Sequence, residues 1–267
     1  MTPDLSPALQ MVSRTDPGMV RTHNEDAVAV QPALGLAILA DGMGGYNAGE
    51  VASGMATAVI GTELEQGLRE GRRNVSELLE AVIGHANESI YRAAESQPQY
   101  AGMGTTLVMA AFHDDHVSVA HIGDSRMYRL RGGVFECVTR DHSLLQEQID
   151  SGMITEEEAR RSQNKNLVTR ALGVDPVVEP EIHTYAVEPG DVYLFCSDGL
   201  NDMVESDDIA LTLQALSANL DLAAEQLVQM ANDNGGRDNV SVILVKVLQP
   251  FPAAPRGWLA RLLAWLK

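Results

Sequence analysis

The sequence predicts an α+β domain built on antiparallel strands, and three observations carry that expectation. Short segments rich in Val, Ile and Leu are joined by two-residue links, Asp114-Asp115 and Gly132-Gly133, whose chemistry suits tight hairpins. Helical spacing of apolar residues comes in blocks, set between groups of strands and not alternating with them, which disfavours a doubly wound parallel sheet. With 267 residues, 45% hydrophobic and 21% charged, the chain has the composition of a globular protein and can close one core.

In chain order, Ala27–Gln31 and Gly35–Ala40 read as strands because each is short, apolar and bounded by polar or glycine positions. Residues Ala48–Leu68 and Val75–Ser96 repeat apolar side chains at three and four, the helical period. Four strands are predicted next: Thr105–Phe112, His116–Ile122, Met127–Arg131 and Val134–Thr139. Helices Ser143–Ser151 and Thr155–Ser162 follow, the second opening on a capping box of Thr155 and Glu158. They sit in a polar stretch, about residues 141–182, that reads as a flap inserted between strand groups. Val192–Ser197 is a buried strand, Asp207–Leu216 and Leu222–Asn232 are helices, and Val240–Val247 is the last strand.

The formal charge of −18 sets the chain against nucleic-acid backbones and anionic membranes, so no nucleic-acid partner is expected. There are two cysteines, Cys137 and Cys196, and Cys196 lies inside the apolar run VYLFCS, as a buried hydrophobe and not a disulfide partner. The N-terminus lacks a signal pattern and no run reaches the length of a membrane span, so a cytoplasmic monomer is expected.

Acids gather where strands end. Asp41, Asp124 and Asp198 each follow an apolar strand, and Glu25, Asp26 and Asp238 each precede one. In antiparallel sheets the end of one strand lies beside the start of its neighbour, so all six fit one rim. Carboxylates that close repel unless a cation joins them. An all-oxygen set without clustered Cys or His selects Mg²⁺ or Mn²⁺ over Zn²⁺. Gly42, Gly44 and Gly45 after Asp41 let backbone approach an ion or phosphate closely. Other sites fit worse: G-x-G-x-x-G, the P-loop, the EF-hand, a phosphoaspartyl pair and the G-x-S-x-G elbow are all absent.

The ordered motifs GMVRTHNEDA, LADGMGGYNAGEVAS, GMGTTL, AHIGDSRMYRLRGG, TRDHSL, LVTRALG, LFCSDGLNDMV and GGRDNVSVILV resemble the bacterial metal-dependent Ser/Thr phosphatases of the protein phosphatase 2C type, from about Val12 to Val247. The resemblance implies a four-layer α/β/β/α sandwich over residues 1–249 and two Mn²⁺ or Mg²⁺ ions that activate water for in-line attack on phosphorus. It assigns Asp41 as the residue bridging both ions with Gly42 supplying its backbone carbonyl, Glu25 as a ligand of one ion through its carboxylate or its water shell, and Asp198 and Asp238 as ligands of the other. Asp124 with Asp198 would hold a third, weaker ion, Arg21 would bind the phosphate, and Asp26 and Asn239 would support the ligands from behind. Met43 stands where many eukaryotic members carry a histidine proposed to protonate the leaving group, which leaves that role to another group.

The resemblance further implies phosphorylated proteins as substrates and a bacterial Ser/Thr kinase as the opposing enzyme. A phosphatase dedicated to an anti-sigma-factor antagonist and a catalytically silent phosphoprotein binder are the alternatives, and retention of Arg21, Asp41, Asp198 and Asp238 speaks against the silent one. His121, His142 and His183 read as structural residues, with His142 orienting the flap base. Residues 250–267 form a Pro-rich linker and a cationic amphipathic tail, Arg256–Lys267, whose apolar arc suits a membrane surface, a partner helix or its own domain, and membrane contact is open to the chain only there.

Overall fold

The computed structural model describes residues 3–45, 48–71, 74–155, 158–159 and 167–252. Most of the predicted Thr155–Ser162 helix and the whole Arg256–Lys267 tail lie outside them. The Thr155–Glu158 capping box is present, with Glu158 N–H donating to Thr155 Oγ1 (3.2 Å) and Thr155 N–H to Glu158 Oε2 (2.8 Å).

Two antiparallel sheets stack face to face. The first orders its strands β1 (Leu9–Asp16), β11 (Val240–Val247), β10 (Val192–Cys196), β7 (Arg126–Arg131) and β8 (Val134–Cys137). The second orders β2 (Asp26–Gln31), β3 (Leu36–Met43), β5 (Leu107–His113), β6 (His116–Ile122) and β9 (Glu181–Ala186), with the two-residue β4 (Gly104–Thr105) pairing the end of β3. Both predicted hairpin links carry positive φ at their two residues, Asp114 (46°) and Asp115 (59°), Gly132 (56°) and Gly133 (83°), the turn whose twist matches its strands.

Three cores follow from the layering. Between the sheets lie Val108, Phe112, Tyr193, Phe195, Ile243 and Val245, with Phe112 and Tyr193 meeting edge to face at 5.5 Å. The outer face of the second sheet is covered by α1 (Ala48–Arg69) and α2 (Val75–Ser96), whose Ile60, Leu64, Leu79 and Ile83 are buried against it. The outer face of the first is covered by α5 (Ser206–Leu216) and α6 (Leu220–Asp233), burying Ile209, Leu213 and Leu227. The fold is the expected four-layer sandwich.

The sequence expectation differs from the structure in five places. β1 was not predicted: its LQMVSRTD mixes polar and apolar residues because it is an edge strand, held by pairing along β11 from Leu9↔Val247 to Asp16↔Val240. β9 starts at Glu181, so the sheet claims the last residues assigned to the flap. Leu172 is fully buried in the helix-side core and bridges Thr105, which ties the C-terminal part of that segment to the domain. Asp41 lies within β3 and not on a loop beyond it, and Asp198 opens a single helical turn, α4 (Asp198–Asn201), with Ser197 at the position before it.

Candidate functional site

The site is assembled at one end of the sandwich, from both sheets. Asp26, first in β2, and Asp41, near the end of β3, are direct partners across the ladder, and each carboxyl acts on the other's titration. Past Asp41 the strand changes partner, from β5 to β4. Thr106 makes the change: its N–H donates to the Asp41 carbonyl (2.8 Å), its Oγ1 accepts from Asp41 N–H (3.1 Å) and also bonds Ser125 Oγ (2.7 Å). Thr105 Oγ1 donates to the same Asp41 carbonyl (2.8 Å).

Gly42 is needed for a close approach. A Cβ there would stand 2.2 Å from the Gly49 carbonyl oxygen and 2.5 Å from that of Glu25. Gly49 lies in the first turn of α1, where a Cβ would meet Glu25 Oε1 at 2.9 Å. The helix start therefore sits directly on the strand end, and Ser53 Oγ donates to the Glu25 carbonyl (2.5 Å).

The loop before β2 is fastened by Asn239, itself only 6% exposed. Its Oδ1 accepts from Glu25 N–H (2.8 Å) and its Nδ2 donates to the carbonyls of Pro17 (3.0 Å) and His23 (2.9 Å). Arg21, on that loop, donates from Nη2 to Asp238 Oδ2 (2.7 Å). Asp238 precedes β11 and accepts from Asn239 N–H through its other oxygen (2.9 Å). Just past β10, Ser197 Oγ donates to Asp26 Oδ2 (2.9 Å), whereas Asp26 Oδ1 is buried without a partner. Asp124 follows β6 and Gly123 and is 7% exposed.

Five of the predicted acids stand in mutual electrostatic reach. Desolvation first, then Asp26, Asp198, Asp124 and Asp238, push the Asp41 carboxyl well above the usual range. Asp198 is raised in the same way by desolvation, Asp124, Asp202, Asp238 and Asp26. Desolvation, with Asp141 next, raises Asp124 to about 6. Glu25 enters by its backbone and, with Asp198, by its field on Arg21. Among the described residues, a separate group of possible ligand atoms, all within 4.8 Å of one another, is formed by His121, His142 and Glu181.

This donor set fits hard divalent ions. It is carboxylate and carbonyl oxygen throughout, a buried carboxylate oxygen of Asp26 behind it is without a partner, and its acids oppose one another with Arg21 paired to Asp238 alone. A cleft of about 520 Å³ opens from Asp124 and Asp198 and runs between α3 (Leu144–Asp150) and the start of α5, past Arg126, Arg140, Asp202 and Glu205. Sequence reasoning missed the supporting hydroxyls of Thr105, Thr106, Ser125 and Ser197 and the tight Gly42–Gly49 contact. Small residues inside GMGTTL, GDSR and CSDG were the available signal.

An enzyme architecture with a divalent-metal edge is the class that this fold and site define, and the chain belongs to the protein phosphatase 2C family, whose model matches residues 20–239. The chain is 38% identical to the serine/threonine phosphatase stp of Listeria innocua over 243 residues, 87% of this chain and 94% of that one. It superposes on the serine/threonine phosphatase PstP/Ppp of Mycobacterium tuberculosis with a TM-score of 0.85 at 37% identity, over 91% of this chain and 100% of the other. A solved catalytic domain of PstP in complex with 2 manganese ions gives a TM-score of 0.82 at 38% identity, covering 91% and 99%.

Proposed function

We propose that this protein hydrolyses phosphoserine and phosphothreonine on proteins, with two Mn²⁺ or Mg²⁺ ions as cofactors, and so opposes a Ser/Thr kinase. The observation that carries the reading is the convergence of Asp41, Asp198, Asp124 and Asp238 on one end of the sandwich, with Arg21 hydrogen-bonded into the same cluster. Relatives named Ser/Thr phosphatases over most of the chain support it.

In this reading Asp41, Glu25, the Gly42 carbonyl, Asp198 and Asp238 would hold the two ions, and Asp124 with Asp198 would hold a weaker third. Bound there, the ions supply an activated water and neutralise charge on phosphorus. The chain's own residues do the rest. Arg21 presents a planar fork of donors to the phosphate oxygens once Asp238 is engaged elsewhere. Asn239 keeps Arg21 and Glu25 in place by tying three points of their loop to the start of β11. Ser197 orients Asp26 behind Asp41. Met43 pairs with Gly104 and has no proton to give, so the leaving alkoxide is not protonated by that position.

Hydrolysis of p-nitrophenyl phosphate and of a phosphothreonine peptide, with EDTA and then with Mn²⁺ or Mg²⁺ restored, tests the reading. Turnover that appears only with metal is the expected result, and a folded protein inert under every metal would overturn it in favour of phosphoprotein binding. Among the described residues no helix is long and apolar enough to cross a membrane.

A further inference from the structure

A second cluster lies behind the cleft, where the segment leading into α3 meets the ends of β6 and β9. His121 and His142 stack with ring centroids 4.8 Å apart, and both are almost fully buried. His121 and Glu181 are ladder partners. Glu181 Oε2 lies 3.4 Å from His142 Nε2, and its Oε1 lies 2.7 Å from His183 Nε2.

The trio has the composition of a transition-metal site, but its hydrogen bonds oppose one. His121 Nε2 is 2.8 Å from the Arg140 carbonyl, an acceptor only, so this nitrogen carries the proton. His142 Nδ1 faces the Gly123 N–H at 3.3 Å and must be the acceptor, which puts its proton on Nε2, toward Glu181. The two nitrogens that face Glu181 Oε2, His142 Nε2 at 3.4 Å and His121 Nε2 at 4.0 Å, are N–H groups, and ligation requires a lone pair. Burial lowers both rings below the ordinary histidine value, in keeping with neutral imidazoles.

We propose instead that His142 is a positioning residue for Asp124, and that Glu181 and His121 hold its ring in the one tautomer able to do so. His142 grips the residue before Asp124 at both of its polar groups: its own N–H donates to the Gly123 carbonyl (2.8 Å), and its Nδ1 accepts from the Gly123 N–H. Gly123 has φ of +100°, and a Cβ there would meet Thr106 Cβ at 2.7 Å, so its backbone is pressed against the residue that fastens Asp41. The backbone N–H of Asp124 acts on its own carboxyl and lowers its pKa against the effect of burial. Its carboxylate therefore goes where the Gly123 peptide sends it. The inference rests on the proposed role of Asp124 in the phosphatase reading.

The test compares His142→Leu, which removes the acceptor, with His142→Asn, which keeps an oxygen near the place of Nδ1. Each is made in the wild-type and Asp124→Ala backgrounds and assayed for Mn²⁺-dependent turnover, with amide exchange at Gly123 as a second readout. His142→Leu is expected to lower kcat about five- to tenfold, the scale of one buried hydrogen bond, with KM little changed. It is expected to have no further effect in Asp124→Ala, to speed exchange at Gly123, and to be largely rescued by His142→Asn. An equal loss in both backgrounds, or Gly123 exchange that stays slow, overturns the proposal. Should His142→Leu not fold, Glu181→Leu removes the acceptor from a side chain 37% exposed. Its loss must likewise vanish in Asp124→Ala, and persistence there is an overturning result. Asp124→Ala turning over like the wild type would overturn both the role of Asp124 and this assignment. A wild type that hydrolyses no phosphoester would remove the phosphatase reading alone, since Gly123 exchange still decides whether His142 holds that peptide.

Discussion

Asp26 and Asp41 face each other as direct cross-strand partners, two acids of one sign where a ladder ordinarily places complementary or apolar pairs. Such an arrangement costs stability until protons or cations join it, and that cost can be measured as a function of pH.

Burial raises Asp124 from an ordinary 3.8 to about 6, and burial with the neighbouring acids raises Asp41 and Asp198 well above the ordinary carboxylate range, so the folded metal-free protein holds protons that the unfolded chain has already released between about pH 4 and 6. With the folded state binding more protons, this contribution to stability is full at the acid end and is lost as pH rises through the folded values. Melting in EDTA is expected to occur several degrees higher at pH 5 than at pH 7. Ions compete with those protons, so stabilisation by added Mn²⁺ should grow over the same interval. Thermal scans at pH 5, 6 and 7, with and without Mn²⁺, check both slopes.

Asp41→Asn and Asp238→Asn are expected to reduce metal-dependent turnover to assay background while the fold persists. Asp41→Asn also removes one of the opposed charges, so its melting temperature in EDTA should lie above that of the wild type. Circular dichroism melts beside phosphatase assays separate the two effects, and normal rates in either variant would sink the rim model.

Arg21→Ala separates binding from stability. The Arg21–Asp238 pair is exposed, with side-chain accessibilities of 53% and 32%, so its contribution to folding falls within the ~0–1 kcal/mol of surface ion pairs. Melting should stay within a degree or two. Loss of a charged fork on phosphate should raise KM about tenfold with a smaller change in kcat. Steady-state kinetics on a phosphothreonine peptide decide it.

Gly42→Ala sets a Cβ against two backbone carbonyls that cannot rotate away, and a cost of about 3 kcal/mol or more is expected. Gly54→Ala in α1 has nothing within 4 Å of the added Cβ and should gain up to about 1 kcal/mol from helix propensity. Denaturant titration of the two variants gives opposite signs if the contact between strand end and helix start is the constraint.

The sequence by itself determined much of this molecule. Strand and helix placement followed from apolar spacing, because cores are buried with a period that the chain must display. The two hairpins followed from residues that tolerate positive φ. The candidate acids followed from their position at strand ends, where a carboxylate has no business inside a core. β1 escaped notice because an edge strand with one partner and half-exposed residues carries no clean alternation, and β9 escaped because its EIHTYA is polar on one face.

Only the tertiary structure decided how the acids meet. Asp26, Asp41 and Asp124 belong to one sheet, Asp198 and Asp238 to the ends of strands in the other, and they share an edge because two sheets stack through Phe112, Tyr193 and Phe195. No linear pattern records that stacking, since contact across the interface depends on twist and packing distance and not on neighbours in the chain. The same reason hid the grip of His142 on Gly123, nineteen residues upstream. It also hid the approach of Gly49 to Gly42, which becomes a constraint only when a helix start lands on a strand end.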